Sequence, residues 1–490
     1  MRTFLLALVL LAPAAACAQS LGTVDFPTST ESPDAQEAFE RGLLLLHSFE
    51  YDDARDAFRE ARRFDPGFAM AAWGEALTHN HPIWMQQDRE AARAALGGLG
   101  AVDGARLTDR ERAYLATLDV LFGDGDKQDR DDAYALALAD LASAYPDDLD
   151  AQAFWALAIL GTSHEGRDFA TYMRAAAILE GVFARAPRHP GAAHYLIHAY
   201  DDAVHAPLGL RPARVYSDVA PDASHALHMP SHITLALGMW DETAAMNRRS
   251  YEAARANSDR RGEALNNHGW HALYWLNYAE TQRENLEAVF GTLALARMLT
   301  EADPSVLART HLVRIRAHTL ALTGDRADSR LDFRVDTTGL STTTQAIELD
   351  ARVTLAGADV EARRAPLAAL HALADAPGAS PTVRAIRLAL DAMIADAEGN
   401  AGAAEAGLRR AAALVEAQPL TFGPPTPVLP PHESLALWLA KSDRYEEAAE
   451  TIETALALTP GRTMSVELRD LFHAELASRE EFDAPGSRRP

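Results

Sequence analysis

The chain has 490 residues, too many for one compact core, so several domains or an elongated array are expected. Its 46 basic and 70 acidic residues leave a formal net charge of −24, which argues against nucleic acid or an anionic membrane as a partner. The single cysteine, Cys17, excludes an intrachain disulfide, a cysteine-based zinc site and an iron–sulfur cluster, whereas 18 histidines leave imidazole chemistry open.

Arg2, the apolar run Phe4 to Ala12 and the small residues Pro13 to Ala18 form the three parts of a secretory signal peptide over residues 1–18. The run is too short to span a bilayer, and no later stretch approaches about 20 apolar residues, so no transmembrane segment is expected. Two processing routes fit. Ala16-Cys17-Ala18 is a small-x-small cleavage site before Gln19. Ala14-Ala15-Ala16-Cys17 is similar to a lipoprotein box, in which Cys17 would carry a lipid anchor. Either route predicts a periplasmic or secreted protein. A flexible segment is expected over residues 19–34 and a disordered tail over residues 479–490.

Between them, residues 35–478 read as helical pairs. Ala54, Phe58, Ala61 and Pro66 recur with the same offsets as Ala448, Ile452, Ala455 and Pro460. A Tyr lies three residues ahead of each set, at Tyr51 and Tyr445. Ala404, Leu408 and Ala411 form a third copy without the Pro. Small residues let two helices approach, the larger one fills the gap, and Pro ends the second helix. With Gly42 twelve residues before Ala54, this is the tetratricopeptide pattern. Stops such as Tyr145-Pro146, Ala186-Pro187, Ala220-Pro221 and Asp303-Pro304 imply about ten pairs in an all-α, tetratricopeptide-like α-solenoid. No sustained period-2 alternation predicts a sheet. The six-proline stretch Pro419 to Pro431 must be extended and is positioned to cover part of a groove.

Nine histidines fall between His189 and His271. His194 and His198 are four apart, His225, His228 and His232 three and four apart, and His268 and His271 three apart. Such spacings keep side chains on one helical face. The register puts each group on the first helix of a pair, so three consecutive inner helices are expected to turn imidazoles to a common stretch of the concave face. Asp201 and Asp202 lie one turn beyond His198. Imidazoles that converge without cysteine suit Zn, Cu or Fe. The candidate ligands are His194, His198, His228 and His232, with His268 and His271 as further ligands or supporting residues. A buried polar network and a groove that recognises a peptide or protein partner remain as alternatives.

Pro230 either starts a helix or kinks one between His228 and His232. His225 reads as a helix start, His189 and His205 as loop residues, and His79, Asn80 and His81 as a loop at the groove edge. His164 and Glu165 read as a solvated turn. No nucleophile elbow, phosphate loop, dinucleotide turn or haem-attachment motif is present, so catalysis is left open.

The segments HPGAAHYLIHAYD, HALHMPSHITLALGMWDETAAMNRRSYEA and GPPTPVLPPHESLALWLAKSDRYEEAAETIETALALTPGR resemble a group of bacterial exported tetratricopeptide-repeat proteins. NNHGWHALYW is distantly similar to a eukaryotic tetratricopeptide-repeat protein of like length. The resemblance implies an all-α superhelix with His194, His198, His228, His232 and His268 at characteristic positions, and it implies no particular activity. The loop HAYDDAVHAPLGLRPARVYSD departs from the group's pattern.

Overall fold

The computed structural model describes residues 20–97, 106–324 and 327–483. The signal-peptide reading of residues 1–18 and the anchor at Cys17 lie outside the described residues. Antiparallel helical hairpins succeed one another from Pro33–His47 and Tyr51–Phe64 to Pro431–Lys441 and Tyr445–Leu458, about ten in all. This is an all-α solenoid of the tetratricopeptide type. Among the described residues the sheet is a two-residue pairing of Asn80–His81 with Gln86–Gln87. No described helix is long and apolar enough to cross a membrane.

The repeat signature works as its residue sizes require. Ala54, Ala57, Phe58 and Ala61 are the buried face of Tyr51–Phe64. Phe58 wedges between Pro33–His47 and Ala69–Leu77, where a Cβ at Gly42 or Gly74 would lie 2.7 or 2.4 Å from its ring. Only glycine admits that ring from both sides. Ala448, Ile452 and Ala455 repeat the buried stripe in Tyr445–Leu458, and Ala404, Leu408 and Ala411 in Ala401–Glu416.

Of the segment expected to be flexible at residues 19–34, residues 20–34 are described, and they are stitched to the array. Phe26 enters an aromatic cluster with Phe39, Trp73 and Tyr114 at 5.3, 5.9 and 5.1 Å. Thr23 N–H donates to the carbonyl of Arg188, and Ser29 N–H to Glu111. Fully burying one phenylalanine stabilises by about 1.5–3 kcal/mol, which offsets the ordering of one or two residues and adds to these hydrogen bonds in anchoring the segment. At the other end Thr463–Asp483 extends into the expected tail, whose remainder, residues 484–490, lies outside the described residues.

The superhelix curls until distant repeats touch, so its concave face is interior. Asp53 in the first hairpin accepts from Asn257 and Arg261. At the far end Trp240 Nε1 donates to the Gly461 carbonyl, and Thr463 bonds Gln282. Gly238 and Gly461 meet backbone to backbone with positive φ; a Cβ on Gly238 would sit 2.8 Å from the Gly461 Cα. Arg462 grips Glu433 with two bonds of 2.7 and 3.1 Å. As a result, every residue of Pro190–Tyr200 is buried. The histidine helices are central struts, not the walls of an open trough.

Candidate metal centre

Three helical segments carry the histidines: Pro190–Tyr200, the pair Ser224–His228 and Pro230–Ala236, and Asn267–Gln282. Pro230 is the first residue of the second half of the pair, and Met229 keeps helical angles between the halves. Of the two readings of Pro230, the helix start is the one the structure shows.

The rings do not meet at one spot. They form two triads. In the first, ligand atoms of His194, His198 and His225 lie within 4.8 Å of one another; in the second, those of His228, His232 and His271 do. The split follows from helix geometry. His225 and His232 are seven residues apart, about 10 Å along an axis at 1.5 Å per residue, too far to share one ion. Residues four apart can share one, which joins His194 with His198 and His228 with His232. His225, grouped by spacing with His228 and His232 but left out of the candidate ligands, is instead the third member of the first triad. His268 falls outside both. Its Nδ1 lies 3.4 Å from Glu50 Oε2. Burial lowers its pKa, but the Glu50 carboxylate, with Asp52 and Asp53 beyond, outweighs this and raises it on balance.

In the first triad the Nε2 atoms of His194, His198 and His225 are all buried with no hydrogen-bond partner. His194 Nδ1–H donates to the His47 carbonyl at 2.7 Å, which fixes its tautomer and leaves Nε2 a bare lone pair. Burial pushes the His194 pKa down to about 3. Burial and neighbouring imidazoles hold His198 and His225 well below the usual histidine range. These rings are neutral, as ligands must be. Phe49, in left-handed conformation, stands over all three rings with centroid distances of 4.3, 5.8 and 5.7 Å and excludes water. Glu50 accepts from the His225 N–H and from Ser224 Oγ, tying the first hairpin to this helix start.

In the second triad, Nδ1 of His228 faces Asn247 Oδ1 at 2.7 Å, and Nδ1 of His232 faces Asp201 Oδ2 at 2.5 Å. Trp275 packs against all three rings, with centroids 4.8, 4.4 and 5.3 Å from those of His228, His232 and His271. The triads adjoin: His198 and His232 are 5.9 Å apart by centroid, and His225 and His228 are 6.0 Å.

A third cluster was not anticipated. His47 and His189 both reach Asp150 Oδ1, at 2.9 and 3.2 Å. His189 is no loop residue; it caps Pro190–Tyr200, its Nδ1 accepting from Ala192 N–H. That acceptor role obliges its Nε2 to carry the proton donated to Asp150. Tyr195 OH lies 2.9 Å from His47 Nδ1. With a proton on that nitrogen of His189, the cluster is a satisfied hydrogen-bond network with no lone pair free for an ion. It braces His47, whose carbonyl orients His194. No helical spacing links His47 to His194, which is why sequence patterning does not find it.

Of the remaining candidates, Asp202 binds Arg167 and His205 and so caps a turn. His164 pairs with Asp132 at 2.9 Å. His81 stacks on Tyr51 at 3.9 Å, away from both triads. The proline-rich segment does cover the concave face: Phe422 lies 5.4 Å from the His232 ring. Between this segment and the second triad lies a groove of about 540 Å³, lined among others by Trp84, Asp201, His271, Trp275 and Arg314.

No family model matches the chain, and no curated protein matches it. Solved structures that align with the chain include a human IFIT1 dimer with m7Gppp-AAAA (TM-score 0.39, 11% identity, 91% of each chain covered). Others are yeast Tom70 (TM-score 0.32, 10% identity, 92% of this chain and 91% of that one) and the APC/C hetero-tetramer Cut9–Hcn1 (TM-score 0.34, 12% identity, 89% and 76%). At these identities the likeness concerns the helical array alone.

Proposed function

We propose that this chain is an exported metalloprotein, a helical-repeat shell that holds a transition-metal ion on imidazoles in its interior. The observation that carries the reading is a group of three buried imidazoles, His194, His198 and His225, with ligand atoms within 4.8 Å of one another and Nε2 atoms that have no hydrogen-bond partner. A buried polar nitrogen without a partner costs about 1–3 kcal/mol. One cation among them removes all three penalties. Three imidazoles with a fourth position to fill suit Zn, Cu or Fe. A tetrahedral ion with bonds of about 2.0–2.1 Å wants its ligands about 3.3–3.4 Å apart, so ligand atoms that lie within 4.8 Å of one another would close by up to about 1.4 Å on binding. Export rests on Arg2, the Phe4 to Ala12 run and the Ala16-Cys17-Ala18 site. It places the protein in the periplasm or outside the cell, with a lipid at Cys17 on the alternative processing route.

The test is elemental analysis of protein purified without a histidine tag, beside the variant His225→Ala. A stoichiometric ion that the variant loses supports the reading. Metal-free protein that stays metal-free on reconstitution with Zn, Cu or Fe overturns it.

A second reading, a scaffold for a peptide or protein partner, draws on the aromatic groove with its Arg314, whose buried Nε has no partner. The volume weighs against it: about 540 Å³ is the size of a small-molecule site, and the chain's own proline-rich segment already forms one wall. A partner captured from an envelope fraction and retained by His194→Ala after chelation favours this second reading.

A further inference from the structure

We infer that the protein holds two ions, the second on His228, His232 and His271, and that this second ion alone faces the groove, where it binds a small ligand through an oxygen or nitrogen donor. This rests on the metal-binding reading above and deepens it.

Hydrogen-bond roles fix where the protons of these rings sit. Asn247 Nδ2 donates to the Thr243 carbonyl at 2.8 Å, which fixes the amide so that its Oδ1 faces His228. His228 must then carry its proton on Nδ1. His232 likewise donates Nδ1–H to the Asp201 carboxylate. Each ring has its proton on the far side, so both Nε2 atoms present lone pairs. Yet those two atoms stand 2.9 Å apart. Two lone pairs at that distance repel unless a cation lies between them. With bonds of about 2.0–2.1 Å, a separation of 2.9 Å corresponds to an angle of about 90° at an ion, within the range of a distorted four- or five-coordinate site. His271 supplies the third nitrogen.

The surroundings fit. Asp201 beneath His232 is the carboxylate–histidine arrangement that raises ligand basicity and offsets ionic charge. Trp275 walls the site on one side. Of the six imidazoles only His271 lines the groove, with Asp201, the partner of His232, beside it; His228, His232 and the whole first triad lie behind that lining. The first ion is therefore sealed under Phe49, and the second has an open side. The cluster of His47, Asp150 and His189, equally compact, is excluded on the same ground, because there the proton on His189 Nε2 faces inward.

The probe is Co(II), whose visible absorption reports ligand changes. Full-length protein made without a histidine tag is loaded, dialysed and assayed for cobalt, then titrated with azide. Two ions per chain are expected in the wild type and one in each of His194→Ala and His271→Ala. Azide should shift the visible band of the wild type and of His194→Ala and leave His271→Ala unchanged. Asn247→Leu, which keeps every ligand, should weaken only the azide-sensitive ion, and circular dichroism confirms that each variant folds. One ion per chain, lost in His194→Ala and kept in His271→Ala, overturns the second site and leaves the first standing: the facing nitrogens then share a proton only. No ion in the wild type overturns both.

Discussion

His194 Nδ1 and the backbone carbonyl of His47, 147 residues apart in sequence, are joined by a 2.7 Å hydrogen bond. A residue in the first hairpin therefore sets the tautomer of a residue at the centre of the array. The same hairpin places Phe49 over the first triad and Glu50 on the start of its third histidine's helix. The first repeat is the lid of the candidate centre as well as the end of the stack.

Glu50 is buried against Ser224, the His225 N–H and His268. Removing it leaves a buried donor unpaired and a histidine without its counter-charge. Glu50→Ala is expected to destabilise by about 3 kcal/mol, read as a lower urea midpoint, and to release metal from the first triad first. An unchanged midpoint would contradict the tie.

Asn247→Leu removes the acceptor that orients His228. Loss of such a supporting bond weakens metal affinity by about 10–100-fold. Competition with a chelator of known affinity measures it; equal weakening of both ions would show that the triads are not independent.

Stability should fall with acid. Burial holds His311 near pKa 4 and His318 near 3, both neutral in the fold. In the unfolded chain they return to about 6.5. Between those values the unfolded state binds more protons, so stability is complete above about pH 6.5 and declines as pH drops toward 4. Urea midpoints of metal-free protein at pH 7.5, 6 and 5 should decrease in that order.

Gly74→Val drives a branched side chain into the Phe58 ring. Overpacking of this kind costs about 1–3 kcal/mol. Phe58→Leu should recover part of the loss in the double variant, a coupling that a denaturation cycle measures directly.

Arg462→Met strands the buried Glu433 carboxylate and is expected to cost about 3–5 kcal/mol. The double change Arg462→Met with Glu433→Leu should cost less than the single one, since no charge is then left alone. Thermal midpoints of the two variants decide it.

The solenoid was legible because Gly42, Phe58 and Ala61 report local helix contacts, which recur at fixed spacing. The pairs His194–His198 and His228–His232 were legible for the same reason. Their division between two triads was not, because it depends on axial distance: His225 and His232 share a face but not a level. The partnership of His271 with His228 and the departure of His268 to Glu50 depend on how one helix lies against two others. His47, Asp150 and Phe49 reach the centre through closure of the superhelix, which no local pattern encodes. The packing of Phe26 is not legible because a single aromatic in an extended segment carries no periodicity.

Gly238 and Gly461 meet backbone to backbone across more than two hundred residues. An open array of this type tolerates the gain or loss of a unit, since each hairpin touches only its neighbours. Here the contact spans a fixed number of hairpins, and one more or one fewer between them would part the two glycines. The repeat number in that arc is thus held by a closure that the two glycines share with the Trp240–Gly461 and Thr463–Gln282 bonds.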